Sequence, residues 1–456
     1  MITRLLVANR GEIACRVFDT CRRLGVEALA VYSDADADAR HVRLADRATR
    51  IGDHRSYLDR AALVDAALRM GAQAIHPGYG FLSENAEFAR AVEDAGLIWV
   101  GPSPQTITLM ADKLAARATM RTHGLSVVPG ATKPVTDLAE AEALAAQLGY
   151  PLLIKPSSGG GGIGMEVVDS PHQLGPALER ARSKGQRFFA VPTVYVERLV
   201  PVARHVEVQI LGRADGRIIV VGDRDCSVQR RNQKVIEEAP APGLSEAERA
   251  GIHDLARRAG EVTSYRGAGT VELLFDRDRR EAYFLEMNTR LQVEHPVTEM
   301  VAGVDLVEAQ LRIAAGEDPG IVEDPPTPRG HAVELRVYAE DPVTFLPGPG
   351  RISRWREPTG DGIRIDRGYD EGDTVTRHFD PLMAKLCVLA ADRTSAIAGL
   401  AAAAADFEIA GPRNNLAVVQ RLMDDGRFVD DRHDTTTLAS IAGAGPRDAV
   451  DRKDLQ

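Results

Sequence analysis

Short, continuous apolar runs recur through roughly the first hundred residues, at 5–8, 28–32, 74–75 and 98–100, each beside a turn rich in Gly, Pro or Asp. A run without polar alternation fits a strand buried on both faces. After the first run, Asn9-Arg10-Gly11 turns the chain into a segment whose Ile13, Val17 and Leu24 share one helical face. Strand and helix signals in alternation predict a parallel sheet covered by helices. The expected fold class is α/β, opening with a doubly wound domain over residues 1–113. A smaller unit follows over 114–204, with an apolar strand around Leu152-Leu153-Ile154-Lys155. A large mixed unit takes 205–446, with strands near 206–211, 270–275, 282–286 and 332–338. With 456 residues the chain exceeds one simple core, and two to four packed units are expected. No tandem repeat and no long linker interrupts them, and residues 443–456 read as a polar, frayed end.

Composition narrows the function. A formal net charge of -10 implies no broad basic surface, so nucleic acid is not an expected partner. No stretch approaches ~18 uninterrupted apolar residues, so no membrane span is expected. The alanine run at 400–405 is short and ends at Asp406, as part of a packed helix does. The sequence opens directly on its first strand, so no targeting peptide is expected. The four cysteines, Cys15, Cys21, Cys226 and Cys387, form no CxxC pair. That argues against zinc and a disulfide framework, and the expected compartment is a reducing cytoplasm.

Four groups of residues bear on the chemistry. Gly159 to Gly162, then Ile163-Gly164, make a loop whose backbone N–H groups can close over phosphates. It lacks the Lys-Ser/Thr of a Walker A loop, and a plain surface loop is the competing reading. Lys155, just upstream on its strand, would reach the phosphates. Glu272 and Glu286 sit within apolar strands, where a charge needs a partner. Glu286 and Asn288 share a strand face by their i, i+2 spacing. Two carboxylates and an amide oxygen suit Mg²⁺, although buried ion pairs would explain the glutamates too. In Arg290-Leu291-Gln292-Val293-Glu294, an extended backbone would put Arg290, Gln292 and Glu294 on one face. That set suits a small oxyanion held by Arg with Glu as base. The run from Gln229 to Lys234 reads either as a solvated charge run or as cations for an anionic substrate.

The stretches 8–14, 76–85, 224–227, 229–240, 286–296 and 329–336 together resemble the biotin carboxylase component of biotin-dependent carboxylases, in the ATP-grasp superfamily. The resemblance runs to about Leu386. It implies an ATP-grasp fold with a small mobile lid, and fixation of bicarbonate onto biotin with ATP through carboxyphosphate. Lys113, Lys155, His205 and Gln229 would contact ATP, with Gly160, Gly161 and Gly162 closing over its phosphates. Glu197, Arg198 and Val200 would form the adenine-binding segment. Glu272, Glu286 and Asn288 would hold Mg²⁺ or Mn²⁺. Lys234, Arg290, Gln292 and Val293 would bind bicarbonate, Glu294 would deprotonate it, and Arg336 would stabilise the biotin enolate with Arg290 facing biotin.

The resemblance also implies a homodimer. None of the nine methionines precedes Lys, so the Met-Lys-Met turn of a biotin carrier is missing. Biotin is therefore expected on a separate carrier protein, with a carboxyltransferase subunit completing the reaction. Three positions depart from the family. Ile163 replaces a basic residue, as in urea-carboxylase-like relatives, which leaves the acceptor open among acetyl-CoA, propionyl-CoA, other acyl-CoA and urea-like compounds. Asn232 replaces a frequent His, and Phe379 replaces a Tyr at the dimer or carrier surface, read as neutral drift. The competing functions are another ATP-grasp ligase, such as a carbamoyl-phosphate synthase-like enzyme, and a non-catalytic ATP-binding subunit.

Overall fold

The computed structural model describes residues 2–157, 163–230 and 232–441. The first strands are β1 (Arg4–Val7), β2 (Glu27–Ser33), β3 (Arg47–Gly52), β4 (Ala74–His76) and β5 (Ile98–Trp99). They form a parallel sheet in the order β3-β2-β1-β4-β5. Alternate residues of β1 feed different cores: Leu5 and Val7 pack with Ile13 and Val17, while Leu6 packs with Leu63 and Phe88. Burial on both faces is the reason these strands read as unbroken apolar runs. The strand order reverses at β1, between β2 and β4. In such sheets the loops at the reversal splay apart and leave a crevice. Asn9 ties the two loops there, donating from Nδ2 to the carbonyls of Pro77 and Tyr79, both at 2.7 Å. Gly78 takes φ 64° in this turn, and a Cβ on it would lie 2.7 Å from Asn9 Nδ2, so a side chain is excluded.

A three-stranded antiparallel sheet forms next from β6 (Leu152–Pro156), β7 (Glu166–Val168) and β8 (Val194–Arg198), with β6 in the middle. Helices Leu138–Leu148 and Pro171–Phe189 cover it with a core of its own, including Leu152, Ile154, Leu174, Leu178 and Val196.

The largest element is an eight-stranded sheet. Its strands β9 (Ala203–Gly212), β10 (Ile218–Arg230), β11 (Gln233–Ala239), β12 (Gly267–Asp276), β13 (Glu281–Asn288) and β14 (His331–Tyr338) run in the order β13-β12-β9-β10-β11-β14. Strands Leu382–Ala390 and Ile363–Arg367 extend it, and every neighbouring pair is antiparallel. One face is apolar. Val206, Val208, Val271, Leu273 and Phe284 pack there under Ile252 and Ala256 of helix Glu246–Val262. Val333, Leu335 and Leu386 continue it under helix Arg393–Asp406, which contains the alanine run. The other face carries charge. Glu286 pairs across the ladder with Glu272, Glu272 with Glu207, and Glu207 with Arg224. Farther along, Glu237 stands opposite Glu334, and Glu334 opposite Cys387.

All four cysteines are free and buried, and among the described residues no helix is long and apolar enough to cross a membrane. Phe284 is fully buried in the core beneath the charged rows. Phe284→Ala should destabilise the protein by about 3–5 kcal/mol, the usual cost of deleting a buried ring, as read by denaturant unfolding.

Candidate active site

A cleft of about 1060 Å³ opens where the three sheets meet. The reversal loops supply Asn9, Arg10, Tyr79 and Glu84, the small sheet supplies Lys155 and Glu197, and the large sheet supplies its charged face. Lys113, Lys155, Glu197, Arg198, Val200, His205, Gln229, Lys234, Glu272, Glu286, Asn288, Arg290, Gln292, Val293 and Arg336 all line it. Gly160, Gly161 and Gly162 lie outside the described residues. A smaller groove of about 550 Å³, around Ala401 and Phe407, is mostly apolar, and its Arg354 and Glu408 pair with each other.

Lys234 is the centre of the charged face. Its ammonium lies 2.6 Å from Glu207 Oε2, 3.0 Å from Glu272 Oε1 and 2.6 Å from Glu294 Oε1. Burial disfavours its charge, but Glu207, Glu272 and Glu294 outweigh that and hold it protonated, well above the usual lysine range. Burial also pushes Glu272 and Glu294 upward. Lys234 reverses this for both, helped by His205 at Glu272 and by Arg336 at Glu294, so both stay well below the usual carboxylate range. Arg224, completely buried, donates from Nε to Glu207 Oε1 at 2.5 Å and from Nη1 to Thr298 Oγ1 at 2.8 Å.

Arg336 bridges two carboxylates. Its Nε donates to Glu237 Oε1 at 2.5 Å and its Nη2 to Glu294 Oε2 at 2.9 Å. Glu294 is fully buried, and both its oxygens are covered by cations that line the cleft. The expected single extended face through residues 290–294 is not formed. The chain turns at Val293 and Glu294 into helix His295–Ala302, with Glu294 at its N-cap. Arg290 and Gln292 do meet, Nη1 donating to Oε1 at 3.0 Å, while Glu294 turns toward Lys234 and Arg336. The turn arises because Pro296 sits in the first turn of that helix, where its fixed φ favours a helix start. It also lets the buried Lys385 donate to the Val293 carbonyl at 3.0 Å.

The expected nucleotide residues rest on carboxylates. Lys113, which opens helix Lys113–Thr122, donates to Glu286 Oε2 at 2.5 Å. Lys155 lies 2.5 Å from Glu197 Oε1, and Arg117 holds the other oxygen at 2.9 Å. Arg198 Nη2 donates to the Tyr283 hydroxyl at 2.9 Å, and Arg198 and Val200 both line the cleft. Gln229 Nε2 lies 3.1 Å from His205 Nδ1, and His205 Nε2 lies 3.1 Å from Glu272 Oε2. Burial opposes charge on His205, but Glu272 raises its pKa overall. Gln229 and Arg230 are buried and Lys234 nearly so, while Asn232 and Gln233 between them are exposed. Asn232 adopts φ 63°, a left-handed conformation that Asn tolerates better than most side chains. Ile163 borders the cleft, and the Phe379 ring packs under the Arg10 guanidinium at 3.8 Å and edge-on to Tyr57.

Glu272 and Glu286 stand in register on neighbouring strands, with Asn288 two residues on. An all-oxygen donor set of two carboxylates and an amide fits a hard divalent cation such as Mg²⁺. Sequence reasoning missed three residues. Glu207 was legible in His205-Val206-Glu207-Val208-Gln209, where every second position of an apolar strand is polar. Glu84 accepts from Thr289 N at 3.0 Å and Arg290 Nε at 3.1 Å, a long-range contact with no local signal. Arg224 shows only as a charge within a strand.

Residues 1–107 match the family described as "Biotin carboxylase, N-terminal domain", and 334–440 match "Biotin carboxylase C-terminal domain". Between them, 112–320 match "Carbamoyl-phosphate synthase L chain, ATP binding domain". Biotin carboxylase from Halalkalibacterium halodurans is 46% identical over 427 residues, 93% of this chain and 94% of the relative. The chain belongs to the biotin carboxylase family. Methylcrotonoyl-CoA carboxylase subunit alpha from Oryza sativa subsp. japonica, mitochondrial, is 46% identical over 94% of this chain, which spans 59% of that longer relative. The biotin carboxylase domain dimer of Hydrogenobacter thermophilus 2-oxoglutarate carboxylase was solved with MgADP, ADP and bicarbonate. It superposes with TM-score 0.92 at 40% identity, covering 96% of this chain and 98% of that one. Membership of the biotin carboxylase family agrees with the ATP-grasp α/β fold described above.

Lys234→Met should leave three buried carboxylates without their shared cation and cost about 3–5 kcal/mol near neutral pH. Carboxylates held below their unfolded pKa stabilise above that pKa and lose the effect as pH falls. The deficit of the variant should therefore shrink toward acid pH, as measured by urea unfolding across a pH series.

Proposed function

We propose that this chain carboxylates biotin with bicarbonate and MgATP, through carboxyphosphate, and that Lys234, Glu294 and Arg336 are the centre of the reaction. The observation that carries this reading is the shared geometry of those residues: one ammonium and one guanidinium covering both oxygens of a buried glutamate beside a cleft of about 1060 Å³.

Lys113, Lys155, His205 and Gln229 would hold the nucleotide phosphates and ribose, and Gly160, Gly161 and Gly162 would close over them. In the free site the two lysines rest on Glu286 and Glu197, and polyphosphate would compete for them. The backbone of Glu197, Arg198 and Val200 would meet adenine. Glu272, Glu286 and Asn288 would hold Mg²⁺ or Mn²⁺, which would shield the charge of the transferring phosphoryl group. Arg290, Gln292, Lys234 and the Val293 backbone would fix bicarbonate, and Arg290 would also face biotin.

In the free site Glu294 is too acidic to be a good base. A bound anion that draws Lys234 and Arg336 toward itself would relieve both and raise its pKa. Glu294 would then take the bicarbonate proton, so that the oxygen attacks the γ-phosphorus. ADP would leave, and carboxyphosphate would break into CO₂ and phosphate. Phosphate would take the ureido N–H proton while the nitrogen attacks CO₂, with Arg336 stabilising the negative charge on the ureido oxygen. Closing the cleft would exclude the water that destroys carboxyphosphate.

Biotin would arrive on a carrier protein, in the cytoplasm, and a carboxyltransferase would complete the reaction. A dimer is supported by the dimeric 2-oxoglutarate carboxylase domain. The relatives' names include methylcrotonoyl-CoA and 2-oxoglutarate carboxylases, which supports an acceptor chosen outside this chain.

Purified protein with Mg²⁺ should hydrolyse ATP in a bicarbonate-dependent, biotin-stimulated manner. Glu294→Gln should lower that rate by about 10²–10⁴-fold, and Arg336→Ala should abolish the biotin stimulation. ATP binding without bicarbonate-dependent turnover, even with a biotinylated carrier, would favour a non-catalytic subunit.

A further inference from the structure

Behind Arg336 lies a pair of glutamates that none of these steps uses. Glu237 on β11 and Glu334 on β14 are both fully buried and stand directly opposite each other in the ladder. Such pairs hold their Cβ atoms within about 5.5 Å, and two like charges there repel. Glu237 Oε1 accepts from Arg336 Nε at 2.5 Å. Among the described residues Glu334 has no cation in contact, and its Oε2 accepts only from the Cys387 thiol at 3.4 Å. The remaining oxygens, Glu237 Oε2 and Glu334 Oε1, are buried with no hydrogen-bond partner among the described residues. Two bare carboxylates facing each other out of water are costly. One proton between them removes a charge and gives both orphan oxygens a partner through a single short O–H···O bond.

We propose that Glu237 and Glu334 share one proton and act as a positioning pair for Arg336, clamping its guanidinium from behind while its other edge faces Glu294 and the cleft. The proton belongs to Glu334 and Glu237 carries the negative charge, because only Glu237 touches a cation. Every charged neighbour is consistent with this division. Arg336 and the anionic Glu294 act on both carboxylates, but Arg336 hydrogen-bonds Glu237, and Lys234 also acts on Glu237. Lys385, on the strand beside β14, is already engaged by Glu12 at 3.2 Å and by the Val293 carbonyl. Arg364 and Asp366, on the next strand, pair with each other at 2.8 Å, and Arg364 reaches Glu299 of helix His295–Ala302 at 2.8 Å. Buried His295 in that helix, held well below the ordinary imidazole range by burial, adds no charge. Burial, with neighbouring anions, pushes Glu237 up to about 7 and holds Glu334 well above the usual carboxylate range, and burial pushes the Cys387 thiol up.

The pair sets how strongly Arg336 is drawn back. With one proton, Glu237 balances one edge of the guanidinium and leaves the other for the cleft. Loss of that proton puts a second negative charge behind Arg336 and pulls it from the reacting group. This role rests on the reading that Arg336 faces biotin, but the shared proton does not.

Two readouts on the full-length chain separate these. Infrared spectra at neutral pH should show a protonated-carboxyl stretch that shifts in D₂O and disappears in Glu334→Gln, whatever the activity. In biotin-stimulated ATP hydrolysis the wild type should lose kcat on an alkaline limb. Glu334→Gln, a permanently neutral donor, should lack that limb. Glu334→Leu, which cannot donate, should lose at least about tenfold in biotin-stimulated kcat with KM for ATP changed less than about twofold. Absence of the infrared band from wild type, its persistence in Glu334→Gln, or an unchanged alkaline limb in Glu334→Gln overturns the proposal. A band that behaves as expected in a protein without biotin-stimulated turnover upholds the shared proton and refutes the biotin carboxylase reading instead.

Discussion

Lys234 determines whether the centre of this molecule can exist. Glu286, Glu272 and Glu207 lie in register across three adjacent strands, and Glu294 comes in beside them from the following loop. Like charges side by side on one sheet face destabilise it, and burial multiplies the cost. One ammonium within 3.0 Å of three of these carboxylates offsets the repulsion, with Arg224, His205 and Lys113 at the edges. Such a network adds little net stability compared with an apolar core. Its value is a set of cations held in place by carboxylates that an incoming anion can displace.

That explains why so many expected ligand-binding side chains are found paired with one another. Lys113, Lys155, Arg336 and Lys234 all pair with glutamates. Each pair satisfies a buried or half-buried charge at the cleft wall. Glu294 illustrates the consequence. Its carboxyl is held well below the usual carboxylate range because Lys234 and Arg336 each cover one of its oxygens.

The cleft itself depends on three separately packed sheets. The parallel sheet contributes loops because its strand order reverses at β1, the small sheet contributes Lys155 from its central strand, and the eight-stranded sheet contributes the charged face. Glu84 fastens the first to the last by accepting from Thr289 and Arg290. The aromatic group of Tyr57, Phe81 and Phe379 packs together near the same mouth, with Arg10 over Phe379. The position that departs from the family's tyrosine thus keeps a packed ring.

The sequence by itself determined whatever depends on local periodicity and residue type. The parallel strands were legible because burial on both faces leaves no polar alternation, and Glu272, Glu286 and Asn288 because charge in an apolar strand demands a partner. The motifs around Glu286 to Pro296 supplied the rest by resemblance. Only the tertiary structure decided which charges meet. Nothing local places Lys234 against Glu207, Glu84 against Arg290, or Glu237 opposite Glu334, since each contact joins segments that the chain brings together only through sheet register and domain packing. The turn at Val293 and Glu294 was also beyond local reading. An extended and a turned backbone are both open to that run, and the choice falls to helix His295–Ala302 and to the buried cations that draw Glu294 inward.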